Sequence, residues 1–240
     1  MTIYDCISSY ISKNKSNIFT FCVSTNGMKK MTLNLVKSCQ ANKENIVVIA
    51  LDNDICDFMK NECDVIQYLI DKNSNQPYEY HTEDFKIVAW YRYFIINEFL
   101  RNNKTVIYLD IDIYVNKQFS NQILKELEQY DCVIQTNGKN CCTGFFAIKP
   151  SEKTIDVFNR KNLESQNYLE YLDQDFFNSQ IYDKKVFKIK LLDISLYPNG
   201  KYYYDNSEKI NNQCYLIHFN NIVGYGEKIS RMKKYNKWII

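Results

Sequence analysis

The sequence predicts an α/β fold built on a mainly parallel central sheet flanked by helices, and three observations carry that expectation. Two near-continuous apolar runs, at residues 46–51 and 105–109, are rich in β-branched side chains, as strands buried on both faces are. Segments of helical period lie between such runs, so strand and helix alternate along the chain. Six Gly and three Pro in 240 residues are too few for a turn-dense all-β chain. With 45% hydrophobic and 24% charged residues, the composition is globular rather than disordered.

The elements follow in order. Residues 18–23 form a short apolar strand ending in the polar loop Ser24-Thr25-Asn26-Gly27. Residues 28–42 read as a helix, with Met31, Leu35 and Val36 at helical spacing. The strand at 46–51 ends in Asp52, and a short helix at 56–61 and a strand at 65–68 follow. The polar stretch 71–81, which contains Pro77, reads as a loop. Thr82 can cap a long helix, with Glu83 and Asp84 in its first turn, where carboxylates favour the helix dipole. That helix runs to about Arg101 and aligns Val88, Tyr91, Ile95 and Phe99 on one face. The second apolar strand, 105–109, precedes a helix at 120–130 and strands at 132–135 and 143–148. Ser151 can cap a helix reaching about residue 162, and another helix is expected at 173–181. Strands at 186–192 and 215–219 flank a turn at Tyr197-Pro198-Asn199-Gly200, and a basic amphipathic helix covers 226–235. No repeat, low-complexity tract or linker interrupts the sequence, so one domain over 1–240 is expected.

A net charge of +2 argues against a general polyanion binder, so nucleic acid is not an expected partner. No apolar run approaches the ~18–20 residues that span a bilayer. The N-terminus lacks a basic start followed by an apolar stretch, so it does not read as a secretory signal. Nine scattered cysteines without a C-x-x-C pair argue against zinc-finger and thioredoxin sites and read as reduced thiols in a cytoplasmic compartment. The adjacent Cys141 and Cys142 read as ordinary thiols. The 26 Lys against 4 Arg, with abundant Asn, Ile and Tyr, suggest an AT-rich genome such as that of a large virus.

The strongest local signal is Val106-Ile107-Tyr108-Leu109-Asp110-Ile111-Asp112. An apolar strand runs into two acids at i and i+2, which an extended chain points to one side. In open α/β sheets ligands bind beyond the carboxyl ends of strands. Two carboxylates converging there suit a hard cation such as Mg²⁺ or Mn²⁺. Taken alone, acids at a strand end equally cap loops. Haloacid dehalogenase-type phosphatases also carry D-x-D after a strand, with the first acid, here Asp110, as nucleophile. They place it early and need a later acidic pair at a strand end, which is missing here. His218, one of two histidines, ends the strand at 215–219, where a packed residue and a ligand are both open readings.

From His218 to Trp238 the chain resembles the closing segment of nucleotide-diphospho-sugar glycosyltransferases of the GT-A fold, similar to family 77 and related to family 8. His218, Asn220, Gly224, Lys228 and Trp238 fit that segment, and Asp110 with Asp112 fits the family's metal motif. The segment Cys142-Thr143-Gly144-Phe145 fits N-T-G-F, with Cys where the family commonly has Asn, and Asp173-Gln174-Asp175-Phe176-Phe177-Asn178 fits D-Q-D-x-x-N. The resemblance spans residues 18–238 and implies a Rossmann-like GT-A domain, with a nucleotide-binding half at about 18–115 and a sugar and acceptor half at about 116–240.

The resemblance also implies roles. Asp110, Asp112 and His218 would hold Mn²⁺ or Mg²⁺. Lys228 would place its ammonium on the β-phosphate, where Gly224 lets backbone approach closely, although a solvated helix face is the alternative for Lys228. Thr25 and Asn26 would contact base and ribose, with loop capping as the alternative, and Ile111 lies with the nucleotide. Lys86 and Arg92 would orient the D-x-D carboxylates or touch phosphate, yet six residues apart they do not share a helix face. Asp173 would bind donor-sugar hydroxyls, and Gln174 would lie near the anomeric carbon. The implied activity is metal-dependent retaining transfer from a nucleoside-diphosphate sugar, with uracil as the expected base, to a hydroxyl of a glycan or other acceptor. A non-catalytic nucleotide-sugar- or carbohydrate-binding domain of the same fold is the alternative.

Overall fold

A computed structural model describes residues 3–70, 75–79, 81–166, 172–211 and 213–240. Among them are nine strands: β1 (Ile18–Ser24), β2 (Val47–Ala50), β3 (Asp64–Gln67), β4 (Thr105–Leu109), β5 (Ile113–Val115), β6 (Cys132–Thr136), β7 (Cys141–Ile148), β8 (Ile189–Leu191) and β9 (Leu216–His218). The α-helices are α1 (Ile3–Lys13), α2 (Lys29–Ala41), α3 (Asn53–Met59), α4 (Glu83–Arg101), α5 (Ser120–Leu127), α6 (Glu152–Val157), α7 (Arg160–Ser165), α8 (Asp173–Phe176), α9 (Gly200–Ile210) and α10 (Tyr225–Lys234).

Seven strands form one sheet in the order β3-β2-β1-β4-β7-β6-β8. The first four are mutually parallel, β7 is antiparallel to both β4 and β6, and β8 is parallel to β6. The chain lays β2 and β3 on one side of β1, then crosses through α4 to place β4 on the other side. Strand order therefore reverses between β1 and β4, the switch point at which α/β sheets bind ligands. Side chains alternate between two cores: Phe19, Phe21, Val106 and Tyr108 pack with α1 and α4, whereas Cys22, Ile107 and Leu109 pack with α2, α3 and α5. Burial on both faces explains why these strands read as continuous apolar runs. β5 and β9 form a separate antiparallel ribbon in which Ile113 lies beside His218.

Several expectations shift in detail. On α4, Ile95 and Phe99 are fully buried as expected and Val88 and Tyr91 pack half-buried against the same core, while the buried surface widens to Ala89, Arg92, Tyr93, Ile96 and Leu100. The helix expected from Ser151 to 162 breaks in two, because Asn159 is extended (φ −63°, ψ 149°) and caps α7 by accepting from Asn162 N at 2.8 Å. The helix expected over 173–181 turns π-helical at Phe177–Tyr182. α1, α9 and the short β5 were not foreseen. Of the loop expected over 71–81, residues 71–74 and 80 lie outside the described residues.

Candidate active site

Asp110 leaves β4 at the switch point. The acids do not share an extended strand, as the alternation reasoning supposed. The chain turns there, with Ile113 N donating to Asp110 O at 3.1 Å, and Asp112 leads into β5. The ribbon then delivers the third group. Phe219 N donates to Asp112 O at 2.9 Å, and His218 N to Pro198 O at 3.1 Å, so His218 stands against both acids. Ligand atoms of Asp110, Asp112 and His218 all lie within 4.8 Å of one another. His218 Nε2 is 3.1 Å from Asp112 Oδ1 and 3.6 Å from Asp110 Oδ2. Two carboxylates and one imidazole are a donor set that fits Mn²⁺ or Mg²⁺. Gly144 keeps the space between them clear: a Cβ at this position would lie 2.8 Å from Asp110 Oδ2 and 2.7 Å from His218 Nδ1.

Two cations flank the acids. Arg92 is buried, with Nη2 at 3.2 Å from Asp110 Oδ1 and Nη1 at 3.4 Å from Asp173 Oδ2. It also donates to Ala89 O and Thr143 O and lies 4.4 Å over the Tyr108 ring. Lys228 Nζ is 2.5 Å from Asp112 Oδ2. Burial opposes the Asp112 charge, but Lys228 and His218 outweigh it and hold the carboxyl well below the usual range. Burial likewise opposes charge on His218, yet the adjacent Asp112 pushes its imidazole up to about 10. Asp173 goes the other way: burial raises it despite Arg92. Its Oδ2 accepts from Thr143 Oγ1 at 2.9 Å, and Tyr93 Oη donates to its carbonyl at 2.9 Å.

The structure thus gathers Asp110, Asp112, His218, Lys228, Arg92 and Asp173 at one locus. Gln174, half-buried, borders it through a 3.4 Å contact from Thr143 N to its Oε1. Ile111 lies between the acids and packs, half-buried, against the core that holds Leu109 and Ile113. Gly224, at φ +98°, occupies the left-handed region that glycine tolerates and starts α10. Thr25 and Asn26 follow β1 beside Asp52, whose carboxylate accepts from Asn26 N and Ile55 N, each at 2.8 Å. Thr25 makes no capping bond there, and Thr25 Oγ1 and Asn26 Oδ1 are buried without a hydrogen-bond partner among the described residues. Lys86 is half-buried six residues before Arg92, about 120° around the helix from it.

Three supporting residues escaped the sequence reading. Tyr108 Oη donates to Asp110 Oδ1 at 2.7 Å, Thr143 buttresses Asp173, and Gln135 Oε1 is 2.8 Å from His218 Nδ1. A Gln inside the apolar run Cys132-Val133-Ile134-Gln135, at the carboxyl edge of the sheet, was the available signal. Asn220 takes a structural part, its Oδ1 accepting from Gly200 N at 2.7 Å.

A family model described as nucleotide-diphospho-sugar transferase matches residues 41–232. A UDP-galactose:fucoside alpha-3-galactosyltransferase from Dictyostelium discoideum is 23% identical over 96% of this chain and 44% of its own length. The chain thus spans less than half of that relative. The glycosyltransferase GlyE of Streptococcus pneumoniae superposes with a TM-score of 0.62 at 13% identity, over 92% of this chain and 60% of its own. The galactosyltransferase LgtC, solved with donor and acceptor sugar analogs, gives a TM-score of 0.57 at 12% identity, over 84% and 87%. At these identities the structural likeness establishes the fold.

Proposed function

The chain belongs to the nucleotide-diphospho-sugar transferase family, and from that premise we propose that it is a metal-dependent, retaining glycosyltransferase of family 77-like type acting on a UDP-sugar and a glycan hydroxyl. The carrying observation is the convergence of Asp110, Asp112 and His218 within 4.8 Å at the switch point of the sheet. Asp110 and Asp112 would offer one carboxylate oxygen each and His218 its Nε2. When bound, Mn²⁺ or Mg²⁺ supplies Lewis-acid neutralisation of a departing diphosphate.

The chain's own groups do the rest. Lys228 now pairs with Asp112, and a diphosphate offers that ammonium a second anion. The unpartnered Thr25 Oγ1 and Asn26 Oδ1 are suited to ribose or base. Asp173, fixed by Thr143 and Arg92, is placed to receive sugar hydroxyls. The Gln174 amide is a poor nucleophile and Asp173 is engaged, so retention is read as front-face transfer with the leaving phosphate taking the acceptor's proton. A cytoplasmic location belongs to the same reading; all nine cysteines are free thiols, and no helix among the described residues is long and apolar enough to cross a membrane.

Calorimetry with UDP tests this reading. Affinity should be strong with Mn²⁺ and fall with EDTA, because the acid pair repels a diphosphate unless a cation stands between them. Equal affinity in both removes the metal role. A larger melting shift with GDP or a thymidine diphosphate than with UDP removes uracil. Binding without donor hydrolysis or transfer favours the non-catalytic alternative.

A further inference from the structure

Gln135 is the penultimate residue of β6, fully buried, and the proposed transfer gives it no part. Its Nε2 donates to Tyr197 O and Pro198 O, each at 3.0 Å. Both amide hydrogens thus face carbonyls, which only accept, and this fixes the orientation of the side chain. Oε1 is left as an acceptor, 2.8 Å from His218 Nδ1. An acceptor at that distance requires the proton on Nδ1. Cys142 Sγ, 3.6 Å from the same nitrogen, is the longer and weaker contact. With Nδ1–H engaged, the ring in the neutral form that ligates a cation carries its lone pair on Nε2, the atom that faces Asp112 and Asp110. Pro198 O receives both the Gln135 amide and the His218 backbone N–H, so ring and main chain are registered against one carbonyl.

We propose that Gln135 is a positioning residue that selects the Nδ1–H tautomer of His218 and aims Nε2 at the carboxylate pair, preparing a divalent-cation site. The proposal rests on the metal reading above. Partners of this kind behind a metal-binding histidine typically contribute ~10–100-fold to metal affinity.

The test is the Mn²⁺ affinity of the full chain, measured by calorimetry for the native protein, Gln135→Met, His218→Ala and the double variant. Methionine keeps the length of the side chain and removes its hydrogen bonds. Gln135→Met should weaken Mn²⁺ binding by ~10–100-fold. In the His218→Ala background the same change should cost nothing further, because Gln135 acts through the ring. Full additivity, or an unchanged affinity in Gln135→Met, overturns the proposal. Equal affinity in the native protein and His218→Ala overturns the metal reading together with it, which separates the two failures. Gln135→Glu keeps an oxygen facing Nδ1 and gives up the two donors. Should Gln135→Met not fold, retention of near-native affinity in Gln135→Glu supports the proposal, and a fall to the His218→Ala level overturns it.

Discussion

Asp110 and Asp112 sit two residues apart and are held in opposite ways. Asp110 is paired with Arg92, whose side chain is 8% exposed and is anchored by Ala89 O, Thr143 O, Asp173 and the Tyr108 ring. Those partners belong to α4, β4 and β7 and to α8, the framework of the fold. Asp112 is paired with Lys228, whose side chain is 24% exposed on the C-terminal helix α10. A guanidinium fork with several buried partners cannot leave without stranding them, whereas an ammonium on a flexible stem can change partner. The Arg92 side is therefore scaffold, and under the proposed function the Lys228 side is an exchangeable clamp. Two ion pairs in one site do different work, and burial together with the number of other partners decides which.

The largest expected effect breaks the scaffold side. Arg92→Ala leaves Asp110 and Asp173 without their buried cation, and loss of one member of a buried pair costs about 3–5 kcal/mol. Denaturant unfolding reads it directly. A loss below about 1 kcal/mol, the range of exposed pairs, would erase the distinction between the two sides.

Gly144→Ala comes next. The new Cβ intrudes between His218 and Asp110, in a strand with no room to yield. Overpacking of this kind costs about 1–3 kcal/mol. The ring and the carboxylate must part, so Mn²⁺-dependent UDP binding should disappear while far-ultraviolet circular dichroism stays native. Native UDP affinity in this variant would show that the three ligand atoms need not converge.

Lys228→Ala sharpens the comparison, since its effects carry opposite signs. Without the ammonium, Asp112 is freed for a cation, so Mn²⁺ alone should bind more tightly. UDP in the presence of Mn²⁺ should bind more weakly. A hydrogen bond to a charged group is worth about 1.5–3 kcal/mol, so each change should be roughly 10- to 150-fold. Calorimetry with Mn²⁺, then with UDP and Mn²⁺, separates them. Both affinities falling together would make Lys228 part of the scaffold.

The two sides also differed in how far the sequence revealed them. β4 and its acids were legible, because a strand buried on both faces must be apolar throughout and two acids at its end stand out. Arg92 was named from resemblance, on a helix whose inward stripe was legible in Ile95 and Phe99. Trp90, Tyr93 and Ile96 pack inward as well, so the buried surface of α4 is wider than a single apolar stripe reports. The ribbon that brings His218 to Asp112 was only half visible: the strand ending in His218 was foreseen, but its partner β5 has three residues, too few for a periodicity. Gln135 was read as one more strand residue, since its role depends on the Tyr197 and Pro198 carbonyls more than sixty residues away. Local pattern reports burial, and long-range hydrogen-bond partners leave no local pattern.

The smallest effect on affinity belongs to Gln174→Ala, which lies outside both ion pairs. Gln174 is half-buried, and its one hydrogen-bond contact across the site among the described residues is the 3.4 Å approach of Thr143 N to Oε1. Asp173 beside it is buried and held by Thr143 Oγ1 and Tyr93. Removing the Gln174 amide should therefore cost within about 0.5 kcal/mol of stability, as substitutions at weakly engaged positions do. Neither Asp110 nor Asp112 loses a partner, so UDP affinity with Mn²⁺ should hold within about twofold, an energy below roughly 0.5 kcal/mol. What should fall is turnover, the signature of a group whose interaction strengthens only in the transition state. Equilibrium UDP binding and initial transfer rates on the same preparation separate these quantities. A collapse of UDP affinity in Gln174→Ala would place the segment in the nucleotide site and would extend the scaffold side of the molecule to the first turn of α8.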